Sequence, residues 1–81
     1  MSLNNLGLLY SDIQRFSDSE TYHLRALDIY ERLSQNNPKA YETYLAMSLN
    51  NLAILYRAIQ RFDDSETYYL RAMEIRERLF K

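Results

Sequence analysis

The chain has 81 residues, ten basic and eleven acidic, for a net charge of −1, with one Gly, one Pro and no Cys. That balance excludes the electrostatic footprint of a nucleic-acid binder, no apolar run approaches the about 20 residues of a membrane span, and no charged-then-apolar leader is expected at the start. So small a chain buries only about 60% of its unfolded surface and has no disulfide to staple it, so its core must come from efficient helix packing.

In the first segment Leu3, Leu6, Gly7, Tyr10 and Ile13 recur at steps of three and four, one face of an α-helix. Ser17 followed by Glu20 reads as a capping box, in which hydroxyl and carboxylate each satisfy a free amide of the first turn. A second helix is therefore expected to start near residue 17. Its stripe is Tyr22, Ala26, Ile29 and Leu33, with His23, Leu27 and Tyr30 beside it. It should stop at Asn36-Asn37-Pro38, because the residue before proline is pushed out of helical geometry. Asn37 is a suitable N-cap and Pro38 a suitable first residue for the next helix.

The third helix should run over residues 38–60, with a seam of Tyr41, Leu45, Leu49, Leu52, Tyr56 and Ile59. The fourth should start near residue 63, where Asp63 and Glu66 stand in the places of Ser17 and Glu20. Asp18, Glu20, Asp64 and Glu66 also suit the positive end of a helix dipole. Short connections imply antiparallel neighbours. The expected fold class is all-α, four antiparallel helices forming two αα-hairpins side by side.

Residues 1–33 and 47–79 are nearly the same text at an offset of 46. Of the 33 aligned pairs only nine differ: 7/53, 8/54, 11/57, 12/58, 17/63, 23/69, 27/73, 28/74 and 30/76. A period in the range of about 20–50 residues indicates a solenoid or an array.

Asn5-Leu6-Gly7-x-x-Tyr10, then Phe16, Ala26 and Leu27, resemble a tetratricopeptide repeat. The second copy has Asn51-Leu52-Ala53-x-x-Tyr56, Phe62, Ala72 and Met73. Leu3 and Leu49 would fill the large aromatic position of the first helix, and Gly7 and Ala53 the small position where helices approach closely. The resemblance implies a right-handed solenoid of two repeats, residues 1–36 and 37–81, in one continuous domain that is a fragment of a longer array. The period of 46 exceeds the family's usual ~34 and is similar to the longer repeats of kinesin light chain; the added text lies in residues 33–46. Gln14 and Gln60 replace the glycine common at the inter-helix turn, and Ser19 and Ser65 a common alanine.

The resemblance further implies a protein–protein interaction scaffold whose first-type helices line a concave groove. The groove-facing candidates are Asn4, Asn5, Leu8 and Asp12, then Asn50, Asn51, Ile54, Arg57 and Ala58. An Asn side chain offers both a donor and an acceptor, so paired asparagines one repeat apart could hold the backbone of an extended peptide; alternatively they bond to a neighbouring helix or face water. The basic clamp that some members use for a C-terminal carboxylate is not evident. Of the eight tyrosines, Tyr10, Tyr22, Tyr56 and Tyr68 are expected in the core. Tyr30, Tyr41 and Tyr44 are either an aromatic patch for a partner or packing between the lengthened helices.

Catalytic readings fail. There is no Cys, one His and no glycine-rich phosphate loop. Glu20-x-x-His23 has the spacing of a di-iron ligand pair, but the second copy reads Glu66-x-x-Tyr69, so His23 is read as an interior or edge residue. Asp63-Asp64 is read as a helix start. The chain is thus read as a non-enzyme without cofactor, binding a protein or peptide and neither nucleic acid nor membrane, with the cytoplasm as its default compartment. A second reading is a self-assembling module with a structural role. Its contacts would be Tyr41, Tyr44, Leu79 and Phe80, either head to tail or by exchange of a hairpin across the Asn36–Pro38 turn.

Overall fold

The computed structural model describes residues 3, 6 and 15–79. Three helices follow in chain order: α1 (Phe16–Asn36), α2 (Pro38–Ala58) and α3 (Phe62–Leu79). Among the described residues there is no strand, and the all-α repeat architecture holds. The expected first helix lies outside the described residues except for Leu3 and Leu6, both helical.

One residue separates α1 from α2. Asn37 leaves the helical region (φ −146°, ψ 78°), donates its N–H to the Leu33 carbonyl at 2.9 Å, and accepts from the Ala40 N–H through Oδ1 at 3.4 Å, with Pro38 opening α2. This is the stop and restart expected from Asn36-Asn37-Pro38.

Between α2 and α3 the chain turns through Ile59, Gln60 and Arg61. Gln60 adopts φ 64°. Its N–H reaches the Arg57 carbonyl at 3.0 Å, and the Arg61 N–H reaches that of Tyr56 at 2.7 Å. These two bonds define a Schellman closure, with a glutamine in the left-handed position that glycine normally takes. The departure from glycine at this turn therefore leaves its geometry intact, at a steric cost of about 1 kcal/mol.

The capping boxes do not form as expected. α1 begins at Phe16, with Arg15 as N-cap and no side-chain cap bond, and α3 begins at Phe62. The Ser19 and Ser65 amides reach the Arg15 and Arg61 carbonyls at 3.0 Å each, so each helix starts before the Ser17 or Asp63 side chain could act as cap. The arginines instead turn their guanidinium groups onto the first-turn carboxylates, Arg15 to Asp18 at 2.6 Å and Arg61 to Asp64 at 2.7 Å. Thr21 and Thr67 donate back to the carbonyls of Ser17 and Asp63.

α2 is the central helix and packs against both α1 and α3. The core is Leu27 from α1, Ala46, Leu49, Leu52 and Tyr56 from α2, and Ala72 and Ile75 from α3. Leu45 and Ile59 of the predicted seam pack on it, half-buried. The lengthened ends of α1 and α2 meet through Tyr30 and Tyr44, stacked at 5.7 Å and 15°.

The two repeats agree at some equivalent positions and differ at others, Ile75 being buried and its partner Ile29 43% exposed. Ser19 and Ser65 are buried, as are Ala26 and Ala72. Leu49, Ala72 and Ile75 share the core, and their counterparts Leu3, Ala26 and Ile29 line one cavity of about 140 Å³.

Candidate functional site

The exposed side of α2 is set by the same periodicity that buries its other side. Once Leu45, Leu49, Leu52 and Tyr56 turn inward, Met47, Asn50, Ile54 and Arg57 fall on one outward stripe at steps of three, four and three. Met47 and Ile54 are 46% and 42% exposed, Asn50 is half-buried and Arg57 exposed. The stripe thus alternates apolar bodies with an amide and a cation.

Beside it, α2 and α3 enclose a groove of about 500 Å³. Asn50 and Arg57 form its α2 side; Phe62, Tyr69, Leu70 and Met73 give it apolar surface on the α3 side, with Ser65, Glu66 and Arg76 among them. A smaller cavity of about 150 Å³ continues between Met47 and Thr43 on α2 and Arg76 and Leu79 on α3. Together they make an open, mostly apolar trough with polar groups at its rim.

The structure brings Asn50 and Arg57 together in the groove and places Ile54 next to them on the stripe, while Asn51, half-buried, does not line the groove. Tyr41 is half-buried, Tyr44 lies against Tyr30 on the far end of α2, and Leu79 is 41% exposed. Asn4, Asn5, Leu8 and Asp12, together with Tyr10 and Phe80, lie outside the described residues. The α3 wall was missed by sequence reading. Phe62 and Met73 are repeat partners of half-buried Phe16 and buried Leu27, and their exposure depends on what packs on the helix rather than on residue type, whereas Leu70 is exposed like its partner Leu24.

On the other side of the molecule Tyr56 stacks on Tyr68 at 5.5 Å, and the Arg61 guanidinium sits 4.5 Å from the Tyr56 ring. Burial pushes the Tyr56 phenol well above its usual range, with the hydrogen-bonded Glu20 carboxylate adding to the effect. Arg61 also reaches Glu20 at 3.1 Å, and Arg71 reaches Glu31 at 2.8 Å. These ion pairs tie the α2–α3 turn, through Arg61, and α3, through Arg71, to α1.

His23 is interior, 1% exposed, and burial lowers its pKa below the usual 6.5. Its Nδ1 has no hydrogen-bond partner among the described residues. Among those residues no group of three or more His, Cys, Asp or Glu is placed to hold a metal ion, and no helix is long and apolar enough to cross a membrane.

A family model described as tetratricopeptide repeat matches twice, over residues 1–38 and 45–81. No curated protein and no solved structure matches the chain.

Proposed function

We propose that this chain, which belongs to the tetratricopeptide repeat family, binds an extended peptide segment of a protein partner along α2. Members of the family are in general protein–protein interaction modules and non-enzymatic scaffolds. The finer reading is carried by one observation, the outward stripe of Met47, Asn50, Ile54 and Arg57 beside the trough between α2 and α3.

The chemistry follows from the side chains. Asn50 and Asn51 offer amide donors and acceptors that match a peptide backbone without requiring particular side chains. Ile54 and Met47 supply apolar contact, and Arg57 favours a segment carrying a carboxylate nearby. In the first repeat Asn4, Asn5 and Leu8 hold the corresponding sequence positions, so the units 1–36 and 37–81 would extend one surface. The contacts are spread over an open face, so each is modest and affinity grows with the number engaged.

The test is a random peptide library selected on the immobilised protein, with the selected peptides measured by calorimetry. The Ile54→Asp, Arg57→Glu double variant is expected to lose at least about tenfold in affinity, equivalent to about 1.4 kcal/mol, with little change in melting temperature because both side chains are exposed. Equal binding to the double variant, or selection of no peptide, overturns the reading.

A further inference from the structure

A further cavity, of about 400 Å³, lies where the lengthened ends of α1 and α2 meet α3. Glu31, Ser34 and Gln35 of α1, Glu42 and Leu45 of α2, and Arg71 of α3 line it. None of these residues lines the trough between α2 and α3 or its continuation. Ser34, Gln35, Glu42 and Leu45 all fall in residues 33–46, and one repeat on from Ser34 and Gln35 stand Phe80 and Lys81. The cavity therefore belongs to the added stretch and not to the repeated text.

Two of its polar groups lack what burial ordinarily demands. Ser34 is 7% exposed, and its hydroxyl has no hydrogen-bond partner among the described residues. A helical hydroxyl usually turns back to the carbonyl four residues earlier, as Thr21 and Thr67 do here; Ser34 does not. A buried hydroxyl left without a bond is costly. The Glu42 side chain is 18% exposed, and the ion pair it makes, to Arg78 at 3.8 Å, is longer than a hydrogen bond. Arg78 itself is 60% exposed and reaches in from solvent. Arg71 already holds Glu31 at 2.8 Å, so Glu42 carries the unbalanced charge of the lining.

We propose that this cavity binds the primary ammonium group of a small aliphatic amine. An ammonium presents three donors, and the lining offers three acceptors that suit them: the Glu42 carboxylate, the Ser34 hydroxyl and the Gln35 side-chain carbonyl. The bond to Glu42 is charge-assisted and the strongest of the three. Leu45 supplies apolar surface for the alkyl stem, and the volume is in the range of small-molecule sites. Two carboxylates are too few for a metal ion, in keeping with the lack of any group of three candidate ligands among the described residues. The site does not depend on the peptide reading, which rests on the Met47–Arg57 stripe.

The experiment titrates the labelled whole chain with butylammonium at neutral pH and follows its backbone amide spectra, with 1-butanol (no charge) and tetramethylammonium (no N–H donor) as controls. Saturable one-to-one shifts are expected at Ser34, Gln35 and Glu42 with butylammonium, and binding at least about tenfold weaker with either control. Glu42→Gln should weaken binding about tenfold or more. Arg78→Ala should tighten it, because the exposed guanidinium competes for the same carboxylate. Ser34→Ala should weaken binding while leaving the melting temperature unchanged or higher, since it removes a hydroxyl that makes no bond; a purely structural serine would do the reverse. The Ile54→Asp, Arg57→Glu variant should bind butylammonium as wild type does, so failure of the peptide reading leaves this one standing. Shifts that do not saturate, equal binding of a control, or binding indifferent to both Glu42→Gln and Ser34→Ala overturns the proposal.

Discussion

The Ser65 hydroxyl donates to the backbone carbonyl of Ala53 at 2.7 Å, joining α3 to α2 at a point where both residues are almost fully buried. Such an approach requires a small residue on each helix. Ala53 supplies the small surface, and Ser65 adds to the contact a hydrogen bond that alanine could not make.

Ser65→Ala should keep the fold and lose that bond, at a cost of about 1 kcal/mol. In a domain of this size the loss lowers the melting temperature by about 4–8 °C. Thermal denaturation followed by circular dichroism measures it, and no change would mean that the bond contributes nothing beyond packing.

Ala53→Leu tests the close approach itself. Ala53 is 0% exposed, so the added carbons have no free space and force the helices apart, at about 1–3 kcal/mol. A chemical denaturation curve should move to lower midpoint. An unchanged midpoint would contradict the close contact.

Gln60→Gly should stabilise the chain by about 0.5–1 kcal/mol. The substitution removes the left-handed strain of a residue at φ 64°, and only part of that gain is offset by the greater freedom of glycine in the unfolded chain. Gln60→Val should destabilise it, because a β-branched residue tolerates this region least. The two urea midpoints should shift in opposite directions.

Among the described residues much of the architecture was legible in the text: the Asn36-Asn37-Pro38 break set the α1–α2 turn, and the seam from Tyr41 to Ile59 set the inner face of α2. The Ser17 and Asp63 caps misled, because competition between a capping side chain and an arginine two residues earlier, paired with a first-turn aspartate, is decided by turn geometry and not by residue type. The open face of α3 was equally illegible. Leu27 and Met73 are alike in chemistry, and only the neighbouring helix makes one buried and the other exposed. Of the candidate site, the α2 half followed from periodicity, whereas the α3 wall required the packed structure.

Acidification gives a further test. Burial holds His23 neutral in the folded chain, below its usual 6.5. As pH falls past 6.5 the unfolded chain takes up a proton there that the folded chain refuses, which favours unfolding. The stability His23 supports is therefore complete above pH 6.5 and declines as pH falls from there through the folded value. It is the sole histidine, so His23→Tyr, which installs the residue found at Tyr69, should flatten the dependence of melting temperature between about pH 7.5 and 5.5, a window above the ordinary carboxylate range. Equal slopes in both proteins would contradict a buried neutral imidazole.

The most direct measurement of the central claim is a set of backbone amide spectra of the labelled protein, titrated with a peptide selected on it. The account predicts shifts concentrated at Met47, Asn50, Ile54 and Arg57, with the exposed residues Leu24 and Asp28 of α1 unmoved. Shifts confined to α1, or spread evenly over all three helices, would contradict it.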